Sequence, residues 1–395
     1  MSNEIWIKAN ELKDYVTALR RQIHQHPELG GQEVRTAELI CRELQSYGVE
    51  IVPVNVPTGV VGLLHGKKPG RGQVTALRAD IDALPILEKT GLPYASEHEG
   101  KMHACGHDGH TAMLLGAAKL LSTMTEQFSG IVKFIFQPAE ETLSGAKDMV
   151  KAGVLENPQV DSIVGLHSWP YLPVGVLGTW KGPYYASGDS FQVKIIGGSG
   201  HGAYPHKSKD CLLAAAQIVT ALQSIVSRQL NAIDNTVLSV CTFHGGTAFN
   251  IIPEQVEFSG TVRCHNSEIR NSMPQKMEKI IGGMAEAFGC RYEFNYNFAV
   301  PVVANDPETV DRLAAAAEQT AGTGFAVELP GPVMGSEDFG MYSEKIPASA
   351  ILRLGIADEK NSEIPLHNER FNFNDDAIPY GVSILSQYVL DKNSQ

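Results

Sequence analysis

Apolar and polar positions follow two different periods along the 395-residue chain. From Arg35 to Tyr47 the apolar residues recur at helical spacing. Val60 to His65 and Val74 to Ala79 are short apolar runs that predict strands. Thr111 to Ser122, rich in alanine and leucine, predicts a helix. Gly130 to Phe136 predicts a strand closed by Gln137-Pro138, since proline cannot donate to a ladder. Ile163 to Leu166 is a further short apolar strand. Strands alternating with helices predict an α/β layer fold around a mostly parallel sheet.

The pattern changes near Ser187. Phe191 to Ile196 predicts a strand and Leu212 to Val226 a helix. Thr236 to Phe243 and Val256 to Val262 predict strands, Ile269 to Phe288 a helix, and Arg291 to Phe298 a strand. The order β-α-β-β-α-β is that of a ferredoxin-like α+β domain. Afterwards an α/β pattern resumes, with a helix around Val310 to Ala321. The expected organisation is a domain of residues 1–186 and 300–395 that carries an insertion of residues 187–299. The chain length suits two cores rather than one.

Composition narrows the function classes. Hydrophobic residues make up 43% and charged residues 19%, a globular balance. The net charge of −12 offers no basic footprint for a nucleic acid. No apolar run reaches the roughly 20 residues of a membrane helix. Met1 to Lys13 lacks the basic-then-apolar order of a secretory signal, so the cytoplasm is the expected location. The six cysteines are scattered without a CxxC pair, which predicts reduced thiols.

The densest chemistry lies at His103-Ala104-Cys105-Gly106-His107-Asp108-Gly109-His110. Three histidines and a thiol within eight residues suit a borderline cation such as zinc. Glu140-Glu141 follows a strand, where α/β folds build their sites. One carboxylate of such a pair can bind metal while the other moves a proton. His167 ends a second strand, and His367 lies near the C-terminus. A single histidine is more often structural; the set Cys, His, Glu, His and His can hold two ions with one ligand shared.

Nine segments, in order along nearly the whole chain, carry a resemblance. They are Arg21–Gly30, Leu77–Pro85, His103–His110, Phe136–Glu141, His201–His206, Phe249–Pro253, Gly260–Arg263, Met334–Phe339 and Leu366–Glu369. Together they resemble the aminoacylase, hippurate hydrolase and auxin-conjugate hydrolase family of dinuclear metal-dependent amidohydrolases. The resemblance implies a zinc-peptidase-like catalytic domain with an inserted lid, and hydrolysis of the amide bond of N-acyl amino acids. It implies Cys105, His107, Glu141, His167 and His367 as metal ligands, Cys105 as the bridge, and Glu140 as general base. The wider superfamily has a His-x-Asp ligand motif where Arg78-Ala79-Asp80 stands, so Arg78 cannot ligate there. Asp80 is left either behind the ligands or merely structural. The lid would supply His201, or else Asn250, as a donor to the developing oxyanion, and Arg263 as the fork for a substrate carboxylate.

Two divalent ions per subunit are expected, among zinc, manganese, cobalt and nickel, with a small N-acyl amino acid as substrate. The edge of the lid's sheet suggests a homo-oligomer, a dimer or tetramer. Other substrates stay open: a dipeptide or carboxypeptidase substrate, a carbamoyl amino acid or an N-acetylated diamino acid. A metal-stabilised binding protein is the non-enzyme alternative. Gly198-Ser199-Gly200-His201-Gly202-Ala203 fits a dinucleotide-binding G-x-G-x-x-A, but no acidic residue ends the next strand.

Overall fold

A computed structural model describes residues 4–70, 72–358 and 364–393. The chain divides into two compact units. One comprises Met1–Gly182, Val303–Pro332 and Met341–Gln395; the other comprises Pro183–Val302 and Val333–Gly340.

The first unit is built on an eight-stranded sheet. Its centre is four parallel strands in the order Ile131–Gln137, Val74–Asp80, Ser162–Pro173 and Ser349–Ala357. Glu50–Val52 and Val60–His65 continue the sheet antiparallel on one side. Leu177–Thr179 and Ala326–Glu328 complete the other. The central strands read as nearly unbroken apolar runs because both faces are covered. Among the covering helices, His107–Ser122 is buried on all sides except at Lys119 and Ser122. Helices Lys13–Gln25, Val34–Ser46 and Ile378–Asn393 enclose it. A helix so enclosed must be apolar all round, and Ala112, Leu114, Leu115, Ala117 and Leu121 make it so.

One buried cation stands out in this sheet. Lys133 is 2% exposed, and its ammonium donates to the carbonyls of Val154 (3.0 Å), Glu156 (2.9 Å) and Pro158 (2.8 Å). Burial draws its pKa down to about 8, and three acceptors match its three hydrogens. Lys133→Met keeps the stem but orphans those carbonyls. It is expected to cost about 2–3 kcal/mol in urea unfolding; a change under about 0.5 kcal/mol, the usual surface effect, would show the clasp to be unimportant.

The second unit has a four-stranded antiparallel sheet in the order Thr236–Gly245, Gln255–Cys264, Gly188–Ile196 and Arg291–Val300. With helices Cys211–Ser224 and Ser267–Ala287 the chain order is β-α-β-β-α-β, the expected ferredoxin-like arrangement. Phe191, Val193 and Ile195, alternate residues of one strand, pack on Ala214, Ile218, Leu222, Met273, Met277 and Ile281. Asp210 and Asn266 cap the two helices. Among the described residues one helix, Cys211–Gln229, is long and apolar enough to cross a membrane, with a mean hydropathy of 1.4. Its Ala214, Ala215, Ile218, Leu222 and Ile225 form one stripe inside this unit's core.

Candidate metal centre

Three segments of the first unit meet at the C-terminal ends of its parallel strands, the usual place for an α/β site. Val74–Asp80 ends in Asp80 and leads to Asp82. Ile131–Gln137 leads to Glu140 and Glu141. In Ser162–Pro173, His167 lies two residues beyond the Arg78–Gly165 pair. Between strand and helix, Gly106 takes φ +88° and ends the loop so that His107 opens the buried helix. A Cβ on Gly106 would stand 2.3 Å from the Ser168 hydroxyl, so only glycine fits this approach.

Donor atoms of Cys105, His107 and His167 lie within 4.8 Å of one another, as do those of Cys105, Glu141 and His367, and those of His107, Glu140 and Glu141. The structure thus brings together, inside one unit, all five residues expected as ligands and the expected base. His107 Nδ1 donates to the Asp82 carbonyl at 2.9 Å, with Asp82 Oδ1 at 3.2 Å. Its other nitrogen is therefore the lone-pair side. That Nε2 is buried without a hydrogen-bond partner. It faces Asp80 Oδ2 (3.8 Å), Glu141 Oε1 (3.8 Å) and Glu140 Oε2 (3.9 Å). A buried acceptor ringed by carboxylates beyond hydrogen-bond range lacks a cation, and this fits a divalent ion. Burial alone would lower the His107 pKa, yet Asp80 and Cys105 lift it well above the usual imidazole value. The same excess of negative charge acts on Cys105, whose thiol is pushed well up by burial and by Glu141.

The ligand-type side chains are held from behind. His167 Nδ1 donates to the Ser168 carbonyl at 2.8 Å, which turns Nε2 toward Cys105 Sγ at 3.6 Å. Such partners fix the ring and its tautomer. His367 has left-handed backbone (φ +61°) and donates its N–H to the Ala104 carbonyl at 2.8 Å. Its Nε2 is 3.3 Å from Glu141 Oε1, and its side chain is half exposed, unlike the others.

Asp80 belongs to a network rather than to the open cluster. Its Oδ1 accepts from His110 Nδ1 at 2.6 Å and its Oδ2 from Arg78 at 2.8 Å. Burial would raise the Asp80 pKa, but His107, His110 and Arg78 pull it well below the carboxylate range. His110 Nε2 in turn accepts the Ser168 N–H at 2.7 Å. With both ring nitrogens engaged, His110 has no lone pair for a metal, although it clusters with Asp80 and His107. Asp82 is not among the expected site residues, yet it touches two segments of the cluster: His107 as above, and the Glu141 N–H through Oδ2 at 3.0 Å. Its signal is its place in the Leu77–Pro85 segment, two residues after Asp80 at a strand end. His103 is buried with neither nitrogen hydrogen-bonded, and burial pushes its pKa down to about 3.

In the second unit, His201 lies on the short strand Gly200–His201, paired with Ile251–Ile252. The Ala203 N–H donates to His201 Nδ1 at 3.0 Å, so the neutral ring carries its hydrogen on Nε2. Gly202 N–H donates to the Asn250 carbonyl at 2.8 Å, which brings His201 and Asn250 together on one exposed loop pair. Arg263, half-buried, donates from Nη1 to the Ser336 hydroxyl. The glycine-rich stretch does not open a helix: a 3-10 turn, Pro205–Lys207, follows it, and the helix begins at Cys211.

Residues 76–391 match the family model for peptidase family M20/M25/M40. The chain belongs to this family. Among its M20 relatives, N-acetylcysteine deacetylase of Bacillus subtilis (strain 168) is 41% identical over 94% of this chain and 93% of its own length. Hippurate hydrolase of Campylobacter jejuni is 40% identical over 96% of this chain and 97% of its own. Among solved structures, the Bacillus subtilis YXEP protein, a dinuclear metal binding peptidase from the M20 family, matches with a TM-score of 0.84. It is 36% identical and covers 97% of this chain and 98% of its own. The mixed α/β fold with a largely parallel central sheet is therefore that of M20 hydrolases.

Proposed function

We propose that the chain hydrolyses the amide bond of N-acyl-L-amino acids, giving a carboxylic acid and a free amino acid. One observation carries this reading: the partnerless buried Nε2 of His107, facing three carboxylates beside a thiol and two further imidazoles. Cys105, His107 and His167 would hold one divalent ion, and Cys105, Glu141 and His367 the other. When bound, such ions polarise the amide carbonyl and acidify water. The thiolate and imidazoles favour zinc; manganese, cobalt and nickel are the alternatives.

Glu140 is the general base. It takes the proton of the attacking water and passes it to the leaving amine, so its own protonation state is restored each turn. Asp82 keeps His107 and Glu141 in place, and Asp80 with His110 keeps the strand bearing His167 in place. The second unit serves as the lid. The tautomer fixed by the Ala203 N–H makes His201 an N–H donor, as an oxyanion partner requires. Asn250, on the adjoining loop, is the second donor, and Arg263 is the fork for the substrate carboxylate. The working form is a cytoplasmic homo-oligomer, a dimer or tetramer. The scattered free cysteines support that location, and exposed Leu213, Phe243 and Phe249 on the second unit support association.

The test is release of amine from N-acetyl and N-benzoyl amino acids, with a dipeptide as comparison, before and after chelation and re-addition of each ion. Chelation is expected to abolish release and a divalent ion to restore it. Release that ignores the chelator, or none with any ion, sinks the proposal. A preference for the dipeptide would move the substrate to peptides.

A further inference from the structure

Glu140 sits in a loop whose own hydrogen bonds hold only part of its turn. Ala139, just before it, has φ +55°, the left-handed region. That conformation costs a non-glycine residue about 1–2 kcal/mol, so something must hold it. The Ala139 carbonyl is held by its own loop, accepting from Thr142 Oγ1 at 3.1 Å and from the Gly145 N–H at 3.1 Å. The Ala139 N–H reaches outside the loop, to Glu33 Oε1 at 2.9 Å.

Glu33 is an unusual residue for that task. It is fully buried, and its other oxygen accepts from Thr58 Oγ1 at 2.8 Å. Burial raises its pKa, against the hydrogen bonds from Thr58 and from the backbone of Ala139. Burying a carboxylate such as that of Glu33 costs stability, and hydrogen bonds offset the cost only in part. It sits at the head of helix Val34–Ser46, a few residues after Gly30. A Cβ on Gly30 would meet Ala139 Cα at 3.1 Å, so this segment is packed directly on the loop. On the far side of Glu140, the Glu141 N–H is held by Asp82 Oδ2 at 3.0 Å. Two buried carboxylates from separate segments therefore grip the backbone amides of residues 139 and 141, with Glu140 between them.

We propose that Glu33 is a positioning residue for Glu140, fixing the left-handed turn that aims the base. This rests on the reading of Glu140 as general base. Asp82 also touches His107, so its loss would disturb the ligands; Glu33 touches the base's side of the loop alone among these contacts. The effect of losing Glu33 therefore belongs in kcat, not in metal content.

The experiment compares Glu33→Ala, Glu33→Gln and Thr58→Val in the full chain. It follows turnover of an N-acetyl amino acid, metal content by mass spectrometry, and folding by circular dichroism. Glu33→Ala is expected to lower kcat about 10- to 100-fold, the scale of a misplacement near 1 Å, with KM within about twofold and metal content unchanged. Glu33→Gln is expected to recover kcat to within about threefold, since its carbonyl accepts from Ala139 and its amide donates to Thr58. If Glu33→Ala fails to fold, Thr58→Val decides: it removes one anchor of the carboxylate and is expected to lower kcat several-fold in a folded protein. Wild-type kcat in a folded Glu33→Ala, or in Thr58→Val where that variant decides, overturns the proposal. So does a Gln variant as slow as Ala, or metal lost together with kcat. Full activity of Glu140→Gln would instead overturn the base assignment, so the two failures are separable.

Discussion

Glu140→Gln is expected to keep two metal equivalents per chain while turnover of an N-acyl amino acid falls about 10²- to 10⁴-fold, the usual share of a positioned acid–base group. The amide matches the carboxylate in volume and can still accept a hydrogen bond. What it loses is the capacity to take a proton. Glu140 is 6% exposed and its Oε2 stands 3.9 Å from His107 Nε2, so the substitution changes chemistry in a confined place without opening a cavity. Glu141→Ala is the matching control. Its carboxylate lies 3.3 Å from His367 Nε2 and 3.8 Å from His107 Nε2, and its loss should release metal. Kinetics beside metal analysis on both variants separates the roles. An active Glu140→Gln removes the base, and unchanged metal in Glu141→Ala removes the ligand.

The elements were legible where burial follows a simple period. The helix at Arg35, the central strands and the β-α-β-β-α-β order all come from apolar spacing that tertiary packing leaves intact. Legibility failed where polar residues are buried for chemistry. The helix expected from Thr111 begins at His107, because its first turn buries His107, Asp108 and His110. The strand expected at Ile163–Leu166 runs from Ser162 to Pro173, because His167 and Ser168 are inside the protein and bonded there. Side chains of metal-binding type announce themselves by residue chemistry, so the cluster around Cys105 and His107 stands out, while Glu141 enters as a ligand candidate through the family resemblance. The residues that hold them are ordinary carboxylates. Nothing in Glu33 or Asp82 alone says that the fold buries them; only the backbone amides they meet give them meaning.

Arg20 shows the same limit at larger scale and carries the second large effect. Arg20→Met is expected to destabilise the first unit by about 3–5 kcal/mol, the cost of removing one partner from a buried ion pair. The guanidinium is fully buried, donates from Nε to Asp108 Oδ2 at 2.7 Å, and donates from Nη2 to Asn372 at 3.1 Å. It lies over the rings of Tyr94 and Phe373. One side chain thereby ties helix Lys13–Gln25 to the first turn of the helix that opens with His107, and to the C-terminal segment. Methionine keeps much of the packing and leaves the Asp108 carboxylate without its guanidinium, with only the His24 ring against it.

The pH dependence tests the cause. Burial would raise the Asp108 pKa, but Arg20 and His24 hold it far below the carboxylate range. A depressed acid contributes stability that is present above its unfolded pKa, about 4, and lost as pH falls through the folded value. Without Arg20 the largest part of that contribution is lost at neutral pH, and His24 remains as the partner of the carboxylate. His24 Nδ1 is 2.7 Å from the same carboxylate oxygen; burial and the Arg20 charge lower its pKa, and Asp108 and Glu88 more than offset them, so the loss of Arg20 favours its protonation further. As pH falls, His24 gains a proton and supplies the missing charge, and below about pH 4 an unpaired Asp108 can itself be neutral. The gap in unfolding free energy between wild type and Arg20→Met is therefore expected to be widest near pH 8 and to narrow toward pH 5. A gap that stays constant across that range would assign the loss to packing against Tyr94 and Phe373, and the charge argument would fail.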